Sequence, residues 1–143
     1  MGKKINTILE ETDTLRKDLF DLFLSIQDIK KFITLSMPYD DFKKEVEKIR
    51  QQGKKFVGGK SNLHTLLKKV EDLKEKKNEV GDSDKLDDIF SFLQDMDDLF
   101  TEICFFRSDI IEGLPYEKYR EQAINLGNRF REMSDKLESI QEK

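Results

Sequence analysis

The chain has 143 residues, of which 39% are charged, and its formal net charge at pH 7 is −4. This length suits one domain with one hydrophobic core, and a composition rich in Lys, Glu, Asp, Leu, Ile and Phe favours long helices over sheet. The small negative net charge argues against nucleic-acid binding as the role of the whole protein.

The cysteine content and the apolar runs indicate the compartment. The single cysteine, Cys104, leaves no intramolecular disulfide, so a reducing environment is expected. The first residues contain no apolar core of the kind that signal peptides have. No apolar run approaches the ~20 residues that a membrane-spanning helix needs. The sequence therefore predicts a cytoplasmic protein without a membrane span.

Helix 1 is predicted from Ile5 to Ser36. Its apolar residues are spaced alternately three and four apart, which places them in one row, or seam, on one helix face. This spacing is typical of helices that pack lengthwise against each other. The seam consists of Ile5, Ile8, Thr12, Leu15, Leu19, Leu22, Ile26, Ile29 and Ile33.

Helix 2 is predicted to open at Pro38 and to be broken or kinked near Gly58-Gly59. Each glycine costs a helix ~1 kcal/mol relative to alanine, so residues 51–59 form the weakest helical segment. Ser61 or Asn62 can cap a restart, and the restarted helix is predicted from Leu63 to Glu79.

A loop at residues 81–84 is predicted to separate helix 2 from helix 3. Helix 3 should run from Lys85 to Glu112, and Gly113 should end it. Pro115 should open helix 4, because proline suits the first turn of a helix. The seam of helix 3 is Ile89, Phe92, Met96, Leu99, Ile103, Phe106 and Ile110; that of helix 4 is Tyr116, Tyr119, Ala123, Leu126, Phe130, Met133, Leu137 and Ile140.

The two prolines occur in two similar turns, Pro38-Tyr39 and Pro115-Tyr116, which lie 77 residues apart. Shifting the sequence by 77 aligns residues 1–66 with 78–143, and leaves 67–77 as a connector. Because 77 is eleven heptads, coincidental phasing of the seams is the alternative to a duplicated hairpin. In either case two hairpins with one apolar face each must bury those faces together. The prediction is a single all-α domain over 1–143, an antiparallel up-down-up-down four-helix bundle built from two similar helical hairpins.

Charge divides the middle of the chain. Residues 43–69 contain nine Lys/Arg and two acids, whereas 82–102 contain eight acids and one lysine. One interpretation is that these flanks pair in neighbouring helices. The other is a basic strip, Lys54 to Lys69, that binds phosphate or another anion through Lys54, Lys55, Lys60, His64 and Lys68.

Patterns that would indicate an enzyme fail on inspection. The segment 54–61 resembles the end of a phosphate-binding loop, but Lys54 stands where glycine is required and no strand precedes it. His64 has Ser61, not a carboxylate, three residues before it, which excludes the paired motif of a di-iron bundle. The sequence therefore predicts no enzyme, no cofactor and no metal site. Histidine phosphotransfer at His64 stays open as the alternative function.

Helices 1 and 3 carry more apolar residues than their seams can hide. The excess side chains on the far side of these helices include Phe20, Leu24, Phe90, Phe105 and Ile111. Coverage by the second half of helix 2 and a groove for a lipid-like ligand are two explanations, and contact with another protein is the third. The favoured prediction is an interaction, regulatory or adaptor module that uses this surface, with a partner protein or as a homodimer.

Overall fold

The computed structural model describes residues 2–76 and 83–142, and within these ranges the chain is all-α. Its helices are numbered in chain order. They are α1 (Gly2–Thr34), α2 (Tyr39–Gly53), α3 (Asn62–Glu75), α4 (Ser83–Glu112) and α5 (Tyr116–Glu142), with a short 3₁₀ turn at Lys54–Phe56.

The described residues thus form five helices, whereas the sequence predicts four. The difference lies in helix 2, which is divided into α2 and α3. The helix already ends at Gly53, five residues before the predicted break at Gly58-Gly59, and resumes at Asn62. Ser61 caps the restart, since its hydroxyl accepts a hydrogen bond from the backbone amide of His64 (3.2 Å).

Two predicted features fall partly on residues 77–82. Residues 81 and 82 of the predicted loop (81–84) lie outside the described residues, and α4 begins at Ser83. The end of helix 2 at Glu79 also lies outside them. Of the predicted connector 67–77, the part up to Glu75 is helical.

The core is built on α1 and α4, which pack against each other along their seams. α4 also contacts α3 and α5, while α1 contacts α2, α3 and α5. Almost every predicted seam residue of α1 and α4 is buried. The one polar seam residue, Thr12, is fully buried and donates from Oγ1 to the carbonyl of Ile8 (2.7 Å), which satisfies its hydroxyl.

α1 and α4 point in the same direction. Lys30 Nζ donates to the backbone carbonyl of Leu114 (2.6 Å), which joins the C-terminal ends of these helices. The C-terminal half of α3 reaches both N-terminal halves through two ion pairs: Lys69 with Glu11 (3.4 Å) and Lys74 with Asp87 (3.0 Å).

The two proline turns close their helices in the same way. At the first, the amides of Ser36 and Met37 donate to the carbonyls of Ile33 (3.1 Å) and Phe32 (3.0 Å). Each of these residues has its equivalent at the second turn, 77 positions later: the amides of Gly113 and Leu114 donate to Ile110 (3.1 Å) and Asp109 (3.0 Å). This is the Schellman closure, in which the residue after the helix takes a left-handed conformation. Ser36 (φ 55°) and Gly113 (φ 106°) hold that position.

Two predicted seam residues are exposed. Ile33, in the last turn of α1, is 40% exposed, and Tyr116, in the first turn of α5, is exposed as well. Both lie at the end of the molecule where the proline turns are, and no further helical turn covers them. The seam pattern is wrong at these positions because periodicity indicates a direction and not the length of the neighbouring helix.

Exchanging the residues at the left-handed positions should change stability in opposite directions. A side chain with a Cβ costs about 1 kcal/mol there, so Gly113→Ser should lower the free energy of unfolding by about 1 kcal/mol. No atom lies within 4 Å of an added Cβ at Gly113, so the cost is conformational. Ser36→Gly should be neutral or raise it by about 0.5 kcal/mol. Urea unfolding followed by circular dichroism measures both, and a Gly113→Ser variant as stable as the wild type would contradict the assignment.

The break between α2 and α3 is fastened to α4 by an aromatic stack. Phe56 is buried, and its ring stacks on Phe100 with centroids 5.2 Å apart. The next residue, Val57, has extended backbone and is 61% exposed. Phe56 therefore packs in the core, whereas the adjacent Val57 faces solvent.

This contrast predicts a matched pair of effects. Phe56→Ala should lower the free energy of unfolding by about 3 kcal/mol, because it removes a buried ring and its stack. Val57→Ala should change it by less than about 0.5 kcal/mol, since the side chain is exposed. Equal urea midpoints for the two variants would show that the break is not held by Phe56.

Candidate interaction surface

The five residues predicted to contact a partner do not form one continuous face. Phe20 and Leu24 are exposed on α1, and Phe105 and Ile111 are exposed on α4. Because α1 and α4 bury their seams against each other, side chains opposite those seams point away from the other helix. The exposed residues therefore form separate patches on α1 and α4.

On α1 the patch is small and partly anchored. The ring of Phe20 meets Phe130 of α5 edge to face, with centroids 5.2 Å apart. Leu24 follows one helical turn later, on the same side of α1. Phe20 thus supports the α1–α5 contact, and Leu24 is the more exposed of the two.

Phe90 is not available as an outward contact. Its ring is half-buried against the core, and Lys74 Nζ lies 4.6 Å from the ring centroid. Lys74 also pairs with Asp87, which holds the ammonium group in place. α3, which is the second half of the predicted helix 2, thus covers Phe90. Coverage by this segment is one of the three explanations that the sequence leaves open.

Phe105 is the most exposed phenylalanine of the core helices, at 66%. Residues three, four and seven positions away are its neighbours on the helix surface. On α4 these are Asp98, Thr101, Glu102, Ser108, Asp109 and Glu112. Four of the six are carboxylates and none is basic. We call Phe105 with Asp98, Glu102, Asp109 and Glu112 the acidic patch.

Ile111 stands apart from this patch. It lies six residues beyond Phe105, which is about 120° around the helix. Its exposure belongs to the end of the molecule, where Leu35, Tyr39 and Tyr116 are also exposed. These three, with Val57 in the break and Ile124 on α5, are exposed apolar residues that the sequence does not single out. Their positions at helix ends and in the break are the one signal that points to them.

Cys104 lies beside Phe105 but is half-buried and packs against the core. Burial raises the pKa of its thiol, and the nearby Arg107 guanidinium opposes that rise only in part. The thiol is therefore a weaker nucleophile at neutral pH than an ordinary free cysteine.

The residues predicted to bind an anion are dispersed. Lys55 pairs with Asp18 of α1 (3.1 Å), while Lys54 and Lys60 are exposed. His64 and Lys68 line an open groove between α3 and α4. Its volume is about 590 Å³, and Asp95, Asp97 and Asp98 line it too. Carboxylates in this groove oppose the binding of phosphate.

Several charges of the basic flank (43–69) and of the acidic flank (82–102) form ion pairs with other helices and not with each other. On the basic side, Lys55 and Lys69 pair with α1. On the acidic side, Asp95 pairs with Lys136 (2.7 Å) and Glu102 with Arg129, both on α5. α4 therefore takes most of its cross-helix ion pairs from α5, and α3 pairs with both long helices, through Lys69–Glu11 and Lys74–Asp87.

Neither a metal cluster nor a membrane span is found in the part of the chain that the structure describes. No group of three or more His, Cys, Asp or Glu side chains in residues 2–76 and 83–142 is placed to hold a metal ion. None of the described helices has both the length and the apolar character needed to cross a membrane.

Comparison with known proteins identifies no relative. The chain matches no protein-family model, and no curated protein and no solved structure shows significant similarity to it.

The raised pKa of Cys104 gives a prediction that one reagent tests. Because less thiolate is present at a given pH, iodoacetamide should modify the folded chain more slowly than the urea-unfolded chain. The pH dependence of the rate should also lie at higher pH in the folded chain. Since Cys104 is the single cysteine, the mass increase reports on it alone. Equal rates in the two states would contradict the burial of this thiol.

Proposed function

We propose that the chain is a non-enzymatic protein–protein interaction module, acting in the cytoplasm as an adaptor or regulator. The observation that supports this most is Phe105, whose ring is largely exposed in the C-terminal third of α4. Leaving a phenylalanine in water forgoes about 2 kcal/mol of burial free energy. Aromatic side chains in such positions are enriched where proteins meet.

The acidic patch is the contact surface that we favour, with Leu24 and Phe20 on α1 as a second, smaller contact. A single apolar side chain within a polar rim is the arrangement typical of an interaction hot spot. The half-buried Cys104 behind Phe105 fits a reducing compartment, because the chain has no second cysteine for a disulfide.

The alternative, histidine phosphotransfer or anion binding at His64, has weaker support. His64 is exposed, as a phosphate acceptor must be. The groove that it lines with Lys68 also contains Asp95, Asp97 and Asp98, whose charges repel an anion. This alternative therefore lacks the concentrated positive charge that it needs.

We also propose that the helices form an antiparallel bundle of four arms, made of two similar hairpins. The arms are α1, α2 together with α3, α4, and α5. Three features support the duplication: the matching closures of the two proline turns, the ion pairs of Asp18 and Asp95, and the stacks of Phe23 and Phe100. The closures recur after 77 residues in full, whereas each ion pair and each stack has one residue with an equivalent (Asp18/Asp95 and Phe23/Phe100) and a partner without one.

Most of the acidic patch is specific to the second half of the chain. A shift of 77 places Phe105 on Asp28, Glu102 on Ser25 and Asp109 on Phe32, and only Asp98 keeps its charge, on Asp21. If the halves arose by duplication, they have diverged at this surface. That divergence is what a dedicated contact on one half would produce.

Binding by the host's proteins tests the proposed function. An immobilised chain is incubated with an extract of the source cells, and the retained proteins are quantified by mass spectrometry. Phe105→Glu should reduce retention of the specific partner by about tenfold, because a hot-spot residue contributes more than about 1 kcal/mol. Ile124→Glu, at a residue 51% exposed on α5, is the matched control and should retain the partner.

Two results would count against the function. Retention of the same proteins by the wild type and by Phe105→Glu would remove Phe105 as a contact. Loss with both variants would indicate nonspecific adsorption to apolar surface. Circular dichroism of each variant verifies that the helices are intact.

A further inference from the structure

The acidic patch carries charge that the rest of the chain does not neutralise. Glu102 pairs with Arg129 of α5. Asp98, Asp109 and Glu112 form no ion pair within residues 2–76 and 83–142. The patch therefore presents one exposed ring among carboxylates and favours a partner with an apolar side chain between basic ones.

A surface with the opposite charge lies on the same chain. In the break between α2 and α3, Val57 is 61% exposed, and the lysines around it include Lys54 and Lys60. Lys55 is paired with Asp18, but Lys54 and Lys60 have no ion pair among the described residues. We call Lys54, Val57 and Lys60 the basic loop.

The loop presents Val57 from a fixed position. Phe56 is buried on Phe100 immediately before it, and the cap at Ser61 starts α3 four residues after it. Gly58, with φ 91°, takes a left-handed conformation that suits glycine and turns the chain between these two anchors. An apolar residue held outward by its own backbone loses little entropy on binding.

Within one molecule the basic loop does not cover the acidic patch. Phe100, on which the loop is anchored, precedes Phe105 by five residues, which is about 140° around the helix. The loop therefore lies against a different side of α4, and Phe105 stays exposed.

We propose that the basic loop of one copy of the chain binds the acidic patch of a second copy. This rests on the proposed function and specifies its partner. Val57 packs on the ring of Phe105, while Lys54 and Lys60 approach Asp109 and Glu112. The second copy is the occupant because the charges of the two surfaces are opposite: each has one apolar residue more than 60% exposed, beside charges of one sign that are mostly unpaired.

The contact joins unlike surfaces, which determines the assemblies that it can form. Two copies close into a two-fold dimer when both loops bind at once, and otherwise the contact repeats from copy to copy. Both assemblies exceed the monomer mass of 16.9 kDa. Both should weaken as salt is added, because the charges involved are exposed.

A charge exchange tests the proposal with the purified chain alone. One variant carries Asp109→Lys and Glu112→Lys, and the other carries Lys54→Glu and Lys60→Glu. Each alone opposes like charges across the contact, so its self-association should weaken by about tenfold or more. An equimolar mixture restores opposite charges at every contact and should recover the wild-type mass. Light scattering and sedimentation velocity at low salt measure it.

The rescue by mixing also shows that both variants are folded. Val57→Ser and Phe105→Ser should each weaken the assembly, whereas Ile124→Ser should not. A monomeric wild type overturns the proposal, and so does a mixture that associates no better than either variant alone. If these results occur while host proteins are still retained through Phe105, the second-copy proposal fails and the proposed function stands.

Discussion

The ring of Phe23 on α1 stacks on Phe130 of α5 (5.4 Å between centroids), and that of Phe100 on α4 stacks on Phe56 in the break (5.2 Å). The first stack joins α1 to α5, and the second joins α4 to the break between α2 and α3. Each buried aromatic removes a large apolar area from water, so these contacts tie the N-terminal and C-terminal parts of the chain together. The hydrophobic core accordingly contains residues of all five helices.

The stack of Phe56 on Phe100 also bears on the interruption between α2 and α3. A shift of 77 places Gly53 at the position of Phe130, and a Cβ at Gly53 would lie 3.9 Å from the Phe100 ring. Glycine leaves this space without a ring of its own, and Phe56 fills it from one turn further along. Phe56 reaches the Phe100 ring from the 3₁₀ turn at Lys54–Phe56, which follows α2 directly. The basic loop begins in this turn.

How much the sequence could predict depends on the range of the interaction concerned. The seam periodicity predicts the direction in which Leu19 or Met96 points, and both are fully buried. It does not predict coverage, which depends on where a neighbouring helix ends, and Ile33 is exposed for that reason. The periodicity of its helix predicts that Phe90 is exposed. In the structure Lys74 of α3 covers the Phe90 ring, and the periodicity of one helix does not predict a contact with another. Single residues of the candidate surface are therefore harder to predict than the helices that carry them.

The distribution of ion pairs connects the fold to the proposed contact. Asp18 of α1 pairs with Lys55 in the break, and Asp95 of α4 pairs with Lys136 of α5, so these charges hold helices together within the molecule. Asp109 and Glu112 form no ion pair in the part of the chain that the structure describes. Because these two carboxylates contribute no ion pair to the fold, their charge is available to the contact that we propose.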